Sequence, residues 1–175
     1  MKRVVILCLL LIVGGCRGEP VLMLNDFETE DDLARLTWRC PFWIEPTGAF
    51  TTSGARGLAV EFATGVYPTI ELREVPADWH AYRWFEVDLW APNLAGRELM
   101  LRLDDQGDVE EFADRFEMTV PLTGAPQHLR IPLERVAAGN GGRRQDLHRM
   151  RRVLFYFQSL DERAIVYFDK VQCSR

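Results

Sequence analysis

The 175-residue chain is sparing with the residues that carry covalent and metal chemistry. Its only serines are Ser53, Ser159 and Ser174, and none stands in the Gly-x-Ser-x-Gly turn that presents a hydrolase nucleophile. Its only histidines, His80, His128 and His148, are scattered without the short spacing that brings two of them onto one metal. The run Gly139-Asn140-Gly141-Gly142 is not followed by the Lys-Ser/Thr pair of a phosphate cradle. The acids of "LDDQGDVEEFADRF", residues 103–116, read as a solvated loop, because a glycosidase holds its two carboxylates on rigid strands about a cleft. The chain is therefore read as a protein without a catalytic site. Positive charge is also short: 21 Lys and Arg face 26 Asp and Glu, and a net charge of −5 makes a poor nucleic-acid binder. The one basic cluster, Arg143, Arg144, Arg149, Arg151 and Arg152, reads as loop solvation with local ion pairs, the alternative being contact with anionic glycan or lipid headgroups.

Long apolar runs are missing too. The N-terminal "MKRVVILCLLLIVGGCRGEP" has a basic start at Lys2 and Arg3 and an apolar run from Val4 to Val13, closed by Gly14 and Arg17. A spanning helix needs about 20 apolar residues, so this is the layout of a secretory signal. Its exit, Val13-Gly14-Gly15-Cys16, resembles the lipobox of bacterial lipoproteins, in which a cysteine after two small residues becomes the acylated first residue. That resemblance implies a signal peptide over 1–15 and a lipidated tether over 16–20. The domain over 21–175 would then be held to a membrane through Cys16, on the periplasmic or cell-surface side of the envelope. The other reading is a plain signal peptide in which Cys16 is incidental. Loss of residues 1–15 removes Lys2 and Arg3 and no acid, so −5 becomes −7. Cys8 leaves with the signal and Cys16 carries lipid, which leaves Cys40 and Cys173. In an oxidising compartment they are a disulfide candidate, closing a loop worth about 4–5 kcal/mol, against the alternative of two unpaired thiols.

Helical periodicity is confined to "DDLAR" (31–35), "PLERVAAG" (132–139) and "RQDLHRM" (144–150), none long enough for an independent helix. What fills the rest is short period-2 apolar runs, broken by Gly, Pro, Asn and Asp every ten to fifteen residues. Strands are predicted at 21–27, 36–40, 57–63, 68–73, 82–90, 98–104, 115–121, 127–133, 152–158 and 164–172. Without repeats, low-complexity tracts or long linkers, these argue for one all-β domain of two packed antiparallel sheets.

One strand stands out. In "RWFEVDLWAPN" (83–93), Phe85, Val87 and Leu89 share one face and make an ordinary core, whereas Trp84, Glu86, Asp88 and Trp90 share the other. Two large rings alternating with two carboxylates are a strange surface to leave to water.

The order of segments offers a frame for it. "LNDFE" opens the domain, "SGARGLAVEF", "ADWHAYRWFEVDLWAPN", "LMLRLDD" and "VPLTGAPQHLRIPLERV" follow, and "VYFDKVQC" closes it. This series resembles the galactose-binding-like jelly-roll β-sandwiches, especially family 11-type carbohydrate-binding modules and the complex I intermediate-associated protein 30 domain. The resemblance implies a non-catalytic module whose partner is a polysaccharide or oligosaccharide, or alternatively a protein bound in an interaction or assembly role. It further implies a structural Ca²⁺ tying the first strand to the last, held by Asp26, Glu28 and Asp169. The alternative is that Asp26 and Glu28 are solvated strand-end acids and that Asp169 pairs with a cation. In such modules an outward sheet face carries the ligand, rings stacking on sugar faces while polar groups bond hydroxyls. On this chain that platform is expected from Trp84, Glu86, Asp88 and Trp90, completed by Arg102, Arg115, Tyr156 and Gln158, with Asp104 beside them. The competing expectation is an inert face, its acids paired with Arg102, Arg115 or Arg130 and its tryptophans capped by loops. Trp79 is assigned to packing.

Overall fold

A computed structural model of the chain describes residues 20–39, 41–107 and 110–175. The expected signal sequence, Cys16 and Cys40 lie outside them. Thirteen strands and two short helices follow in the order β1 (Leu22–Asn25), α1 (Glu30–Ala34), β2 (Leu36–Arg39), β3 (Pro41–Thr47), β4 (Gly57–Phe62), β5 (Gly65–Val66), β6 (Thr69–Arg73), β7 (Trp84–Trp90), β8 (Glu98–Asp105), β9 (Phe116–Pro121), β10 (Gln127–Pro132), α2 (Leu133–Ala138), β11 (Met150–Tyr156), β12 (Ser159–Leu160) and β13 (Ala164–Ser174).

All described pairings are antiparallel. A six-stranded sheet runs β10-β7-β13-β4-β3, with β1 also on β13, and a five-stranded sheet runs β2-β6-β11-β8-β9. Along one edge β13 pairs with β7. Along the other it pairs first with β4, over Ala164–Phe168, and then with β1, over Val171–Cys173. The change of partner falls at a bulge between Asp169 and Gln172, where Lys170 adopts a positive φ of 53°. Period-2 alternation sends Phe85, Val87 and Leu89 inward from β7 and Leu99, Leu101 and Leu103 inward from β8, all fully buried. Phe155 of β11 meets Phe168 of β13 with ring centroids 4.6 Å apart, an aromatic contact that joins the sheets across the core.

The ten expected strands are all present within two residues of their expected bounds. Of the three helical stretches, the first two form α1 and α2, and 144–150 instead runs through turns into β11. β3 was not anticipated, because Pro41 and Pro46 argue against a strand; it forms at the sheet edge, where a missing N–H costs least. Gly57 opens β4 where no side chain fits, since the Phe50 and Phe168 carbonyl oxygens occupy the space a Cβ would need.

The acids at the head of 103–116 are not solvated as expected. Asp104 and Asp105 end β8 fully buried. Asp105 accepts bonds from the Arg143 guanidinium at 2.5 and 2.8 Å and from the backbone N–H groups of Gly107 and Asp146. Burial pushes its carboxyl up, but these bonds outweigh burial and hold it below the ordinary value. A depressed carboxyl stabilises the fold above its unfolded value, and that stability is lost as pH falls through the folded value. Arg143→Ala should therefore flatten the acid limb of stability against pH, read from denaturant midpoints below the ordinary value of 3.8. Equal slopes in both proteins would refute the assignment.

Candidate functional site

The eight side chains expected to form one platform are divided between the two outer faces of the sandwich. Trp84, Glu86, Asp88 and Trp90 lie on β7 in the six-stranded sheet, whereas Arg102, Arg115 and Tyr156 belong to β8, the start of β9 and the end of β11 in the five-stranded sheet, with Gln158 just beyond β11. The single platform is thus corrected by topology: period-2 alternation assigns a residue to the outside of its sheet, and does not say which sheet.

The β7 half is closed by its own neighbours. The Arg130 guanidinium covers the Trp84 ring at 4.2 Å, and its Nε lies 2.9 Å from Glu86. Gln172 donates to Glu86 at 2.7 Å, His128 Nδ1 lies 2.6 Å from Asp88, and the Thr52 hydroxyl donates to Asp88 at 2.5 Å. Trp90 donates its indole N–H to the Gly124 carbonyl and stacks on Tyr167 at 5.1 Å. Both acids are buried and their main acceptor positions taken, so this face follows the inert alternative.

The five-stranded sheet presents a different surface. Its register puts Glu71 and Arg73 of β6, Arg152, Leu154 and Tyr156 of β11, Met100, Arg102 and Asp104 of β8, and Glu117 and Thr119 of β9 side by side on the outside. Alternating charges run across three strands. Arg73 Nε lies 3.0 Å from Glu71, Arg152 reaches Glu71 at 3.2 Å and Asp104 at 2.7 Å, and Arg102 Nε meets Asp104 at 2.8 Å. Each guanidinium is fixed by a carboxylate. Next to this row, Arg115 Nε and Glu117 Oε2 approach to 3.0 Å, yet neither buried atom has a well-aligned hydrogen bond. Burial, then the hydrogen bond to Glu117, raises the Tyr156 phenol, which stays protonated as a donor. Tyr67, 51% exposed, stands 6.0 Å from Tyr156 at a tilt of 57°. Trp38, 56% exposed, borders a depression of about 290 Å³ with Thr37, Glu71 and Leu154. At the other end Met100, Gln158 and Ser159 line one of about 330 Å³.

Arg102, Arg115, Tyr156 and Gln158 are therefore brought to one face, and Tyr67, Glu71 and Glu117 complete it. Glu117 was legible, since Arg115, Glu117 and Thr119 share parity in "RFEMT". Tyr67 was not: it precedes Pro68 outside any long strand, with φ at 55°.

The expected calcium ligands do not converge. Glu28 Oε1 accepts the backbone N–H groups of Ala55 and Arg56, and Asp169 Oδ2 those of Thr52 and Ser53. Burial, aided by the carboxylates of Asp32 and Glu28, raises the Asp26 carboxyl above its ordinary value. Among the described residues these three are not a group with ligand atoms within 4.8 Å of one another. Ca²⁺ needs converging oxygens, and here N–H donors of the 51–56 segment take the carboxylates instead, so the arrangement does not fit the ion. Of the expected disulfide pair only Cys173 is among the described residues. Cys173 is a free, buried thiol whose acidity is suppressed by burial and by the charge of Glu86. Cys40 lies outside the described residues.

Comparison with solved structures shows what kind of sandwich this is. A family 11 carbohydrate-binding module from Clostridium thermocellum, solved with a β-1,3-1,4-mixed-linked tetrasaccharide, matches with a TM-score of 0.65 at 13% identity, over 88% of this chain and 95% of that one. A family 30 carbohydrate-binding module of a cellulosomal cellulase of the same organism matches with a TM-score of 0.57 at 14% identity, over 89% and 97%. An exo-β-agarase matches with a TM-score of 0.67 at 16% identity, over 87% of this chain but only 24% of the agarase. No protein-family model matches the chain, and no curated protein does. The fold is the antiparallel jelly roll of these carbohydrate-binding modules.

Proposed function

We propose that the outer face of the five-stranded sheet binds a polysaccharide or oligosaccharide without transforming it, and that the chain carries this module on a lipidated Cys16 at the cell envelope. One observation carries the binding reading: an exposed Tyr67 beside Tyr156, a row of guanidinium and carboxylate groups locked by one another, and a depression at each end, all on one face. A sugar ring offers an apolar C–H face to the phenol rings and hydroxyls to the fixed polar groups. The anchor rests on the N-terminal sequence, from the basic start to Gly15-Cys16.

Affinity electrophoresis against a glycan panel tests the binding reading, starting with mixed-linked β-glucan and agar, the polymers suggested by the structural neighbours. Tyr67→Ala and Tyr156→Ala should each weaken binding about tenfold or more, equivalent to about 1.4 kcal/mol, and Trp84→Ala on the opposite face should leave affinity unchanged. If no glycan binds, or if only the Trp84 variant loses affinity, the sugar reading fails and a protein ligand for this fold takes its place.

A further inference from the structure

Away from both sheet faces, the loop before β7 meets the loop before β11. Asp78, His80 and His148 are there the only described group of three His, Cys, Asp or Glu side chains whose ligand atoms all lie within 4.8 Å of one another. The sequence conceals the group, because the two histidines stand 68 positions apart. Asp78 Oδ1 lies 2.6 Å from His80 Nδ1 and 3.3 Å from His148 Nδ1, and the imidazoles stack with centroids 4.1 Å apart at 26°. All three side chains are exposed, so the stack is not a product of core packing.

The distances suit a small tetrahedral ion. Donors about 2.0–2.1 Å from zinc stand roughly 3.3–3.4 Å from each other, which is the spacing of Asp78 Oδ1 and His148 Nδ1. His80 needs to open by less than 1 Å and to turn out of the stack, because a ring nitrogen binds an ion in its own ring plane; the exposed side chain is free to do so, exchanging a hydrogen bond for a metal bond. The backbone beneath is already fixed. Trp79, between two of the ligands, is fully buried against Phe85, and its indole donates to the Pro76 carbonyl. Its backbone N–H donates to the Leu147 carbonyl at 2.7 Å, next to His148, and Met150 N–H donates to the Ala77 carbonyl at 2.9 Å. The two loops are therefore bonded to each other whether or not an ion is present, and little ordering remains for binding. Two imidazoles with one carboxylate favour a borderline first-row dication over calcium or magnesium, which take oxygen.

We propose that Asp78, His80 and His148 bind a transition-metal dication of the zinc class through two Nδ1 atoms and one carboxylate oxygen, with the remaining coordination position open to water. The untagged chain, stripped with chelator and titrated with zinc chloride in a calorimeter, should take up one ion. At 100 times the dissociation constant the melting temperature should rise by about 5–10 °C. His148→Ala and Asp78→Asn should each weaken zinc at least tenfold, His128→Ala should leave it unchanged, and calcium should give neither heat nor a shift. Metal-free melts establish that each variant is folded, and Cu²⁺ in place of zinc should show two nitrogen ligands by electron paramagnetic resonance, one of them lost in His148→Ala. The assignment is overturned if zinc does not saturate a single site, if His148→Ala binds as the parent does, or if the ion is lost with His128.

Discussion

Trp79→Ala is expected to lower unfolding stability by about 3–5 kcal/mol, the range for deleting a fully buried aromatic ring. The ring is 0% exposed, stacks on Phe85 at 5.8 Å, and donates to the Pro76 carbonyl at 2.6 Å. Alanine would leave a cavity under β7 and a buried carbonyl without its donor, so the lost area, the cavity and the orphaned acceptor act in the same direction. Collapse is opposed by the backbone bonds that tie this loop to Leu147 and Met150. Urea unfolding at constant m reads the change from the midpoint. Trp38→Ala, on an edge strand and mostly in solvent, should stay within about 0.5 kcal/mol and serves as the control. A loss below about 1.5 kcal/mol for Trp79→Ala would mean that the site repacks and that the ring is not the anchor claimed for it.

Asp104→Ala should be nearly as damaging, for an electrostatic reason. The carboxylate is fully buried and accepts from Arg102 Nε at 2.8 Å and Arg152 Nε at 2.7 Å. Its removal takes the shared carboxylate from two guanidinium groups whose side chains are only 16% exposed. Breaking such a pair from one side costs about 3–5 kcal/mol, mostly as the penalty of the charge left behind. Replacing Arg102, Asp104 and Arg152 together by Met, Leu and Met should restore most of that stability while abolishing glycan binding, because the three charges leave together and so do the donors. If the triple variant is as unstable as the single one, the cost lies in packing and not in charge.

The strands were legible because "FEVDL" and "LMLRL" alternate cleanly, and a period of 2 has one interpretation. The platform was only half legible for the same reason. Trp84 and Arg102 each stand opposite a core residue in their own strand, and alternation gives both an outward direction without saying that β7 and β8 lie in different sheets. Pairing decides that, and pairing here is long-range: β7 joins β13, and β8 joins β11. Asp104 and Asp105 mislead through composition, because a run of acids reads as solvated until the arginines that bury them arrive from distant residues. His80 and His148 are silent in sequence because two loops, and no motif, bring them together.

The strand that binds the six-stranded sheet together is the last of the thirteen described. β13 holds β7 along one side and β4 and β1 in turn along the other, so three earlier strands have no common partner until Ala164–Ser174 exists. During synthesis the larger sheet therefore stays open until these residues emerge, with strand edges exposed to wrong partners. Folding has to wait for them and then close contacts far apart in sequence, which places it among the slow, topologically expensive domains that complete in milliseconds to seconds.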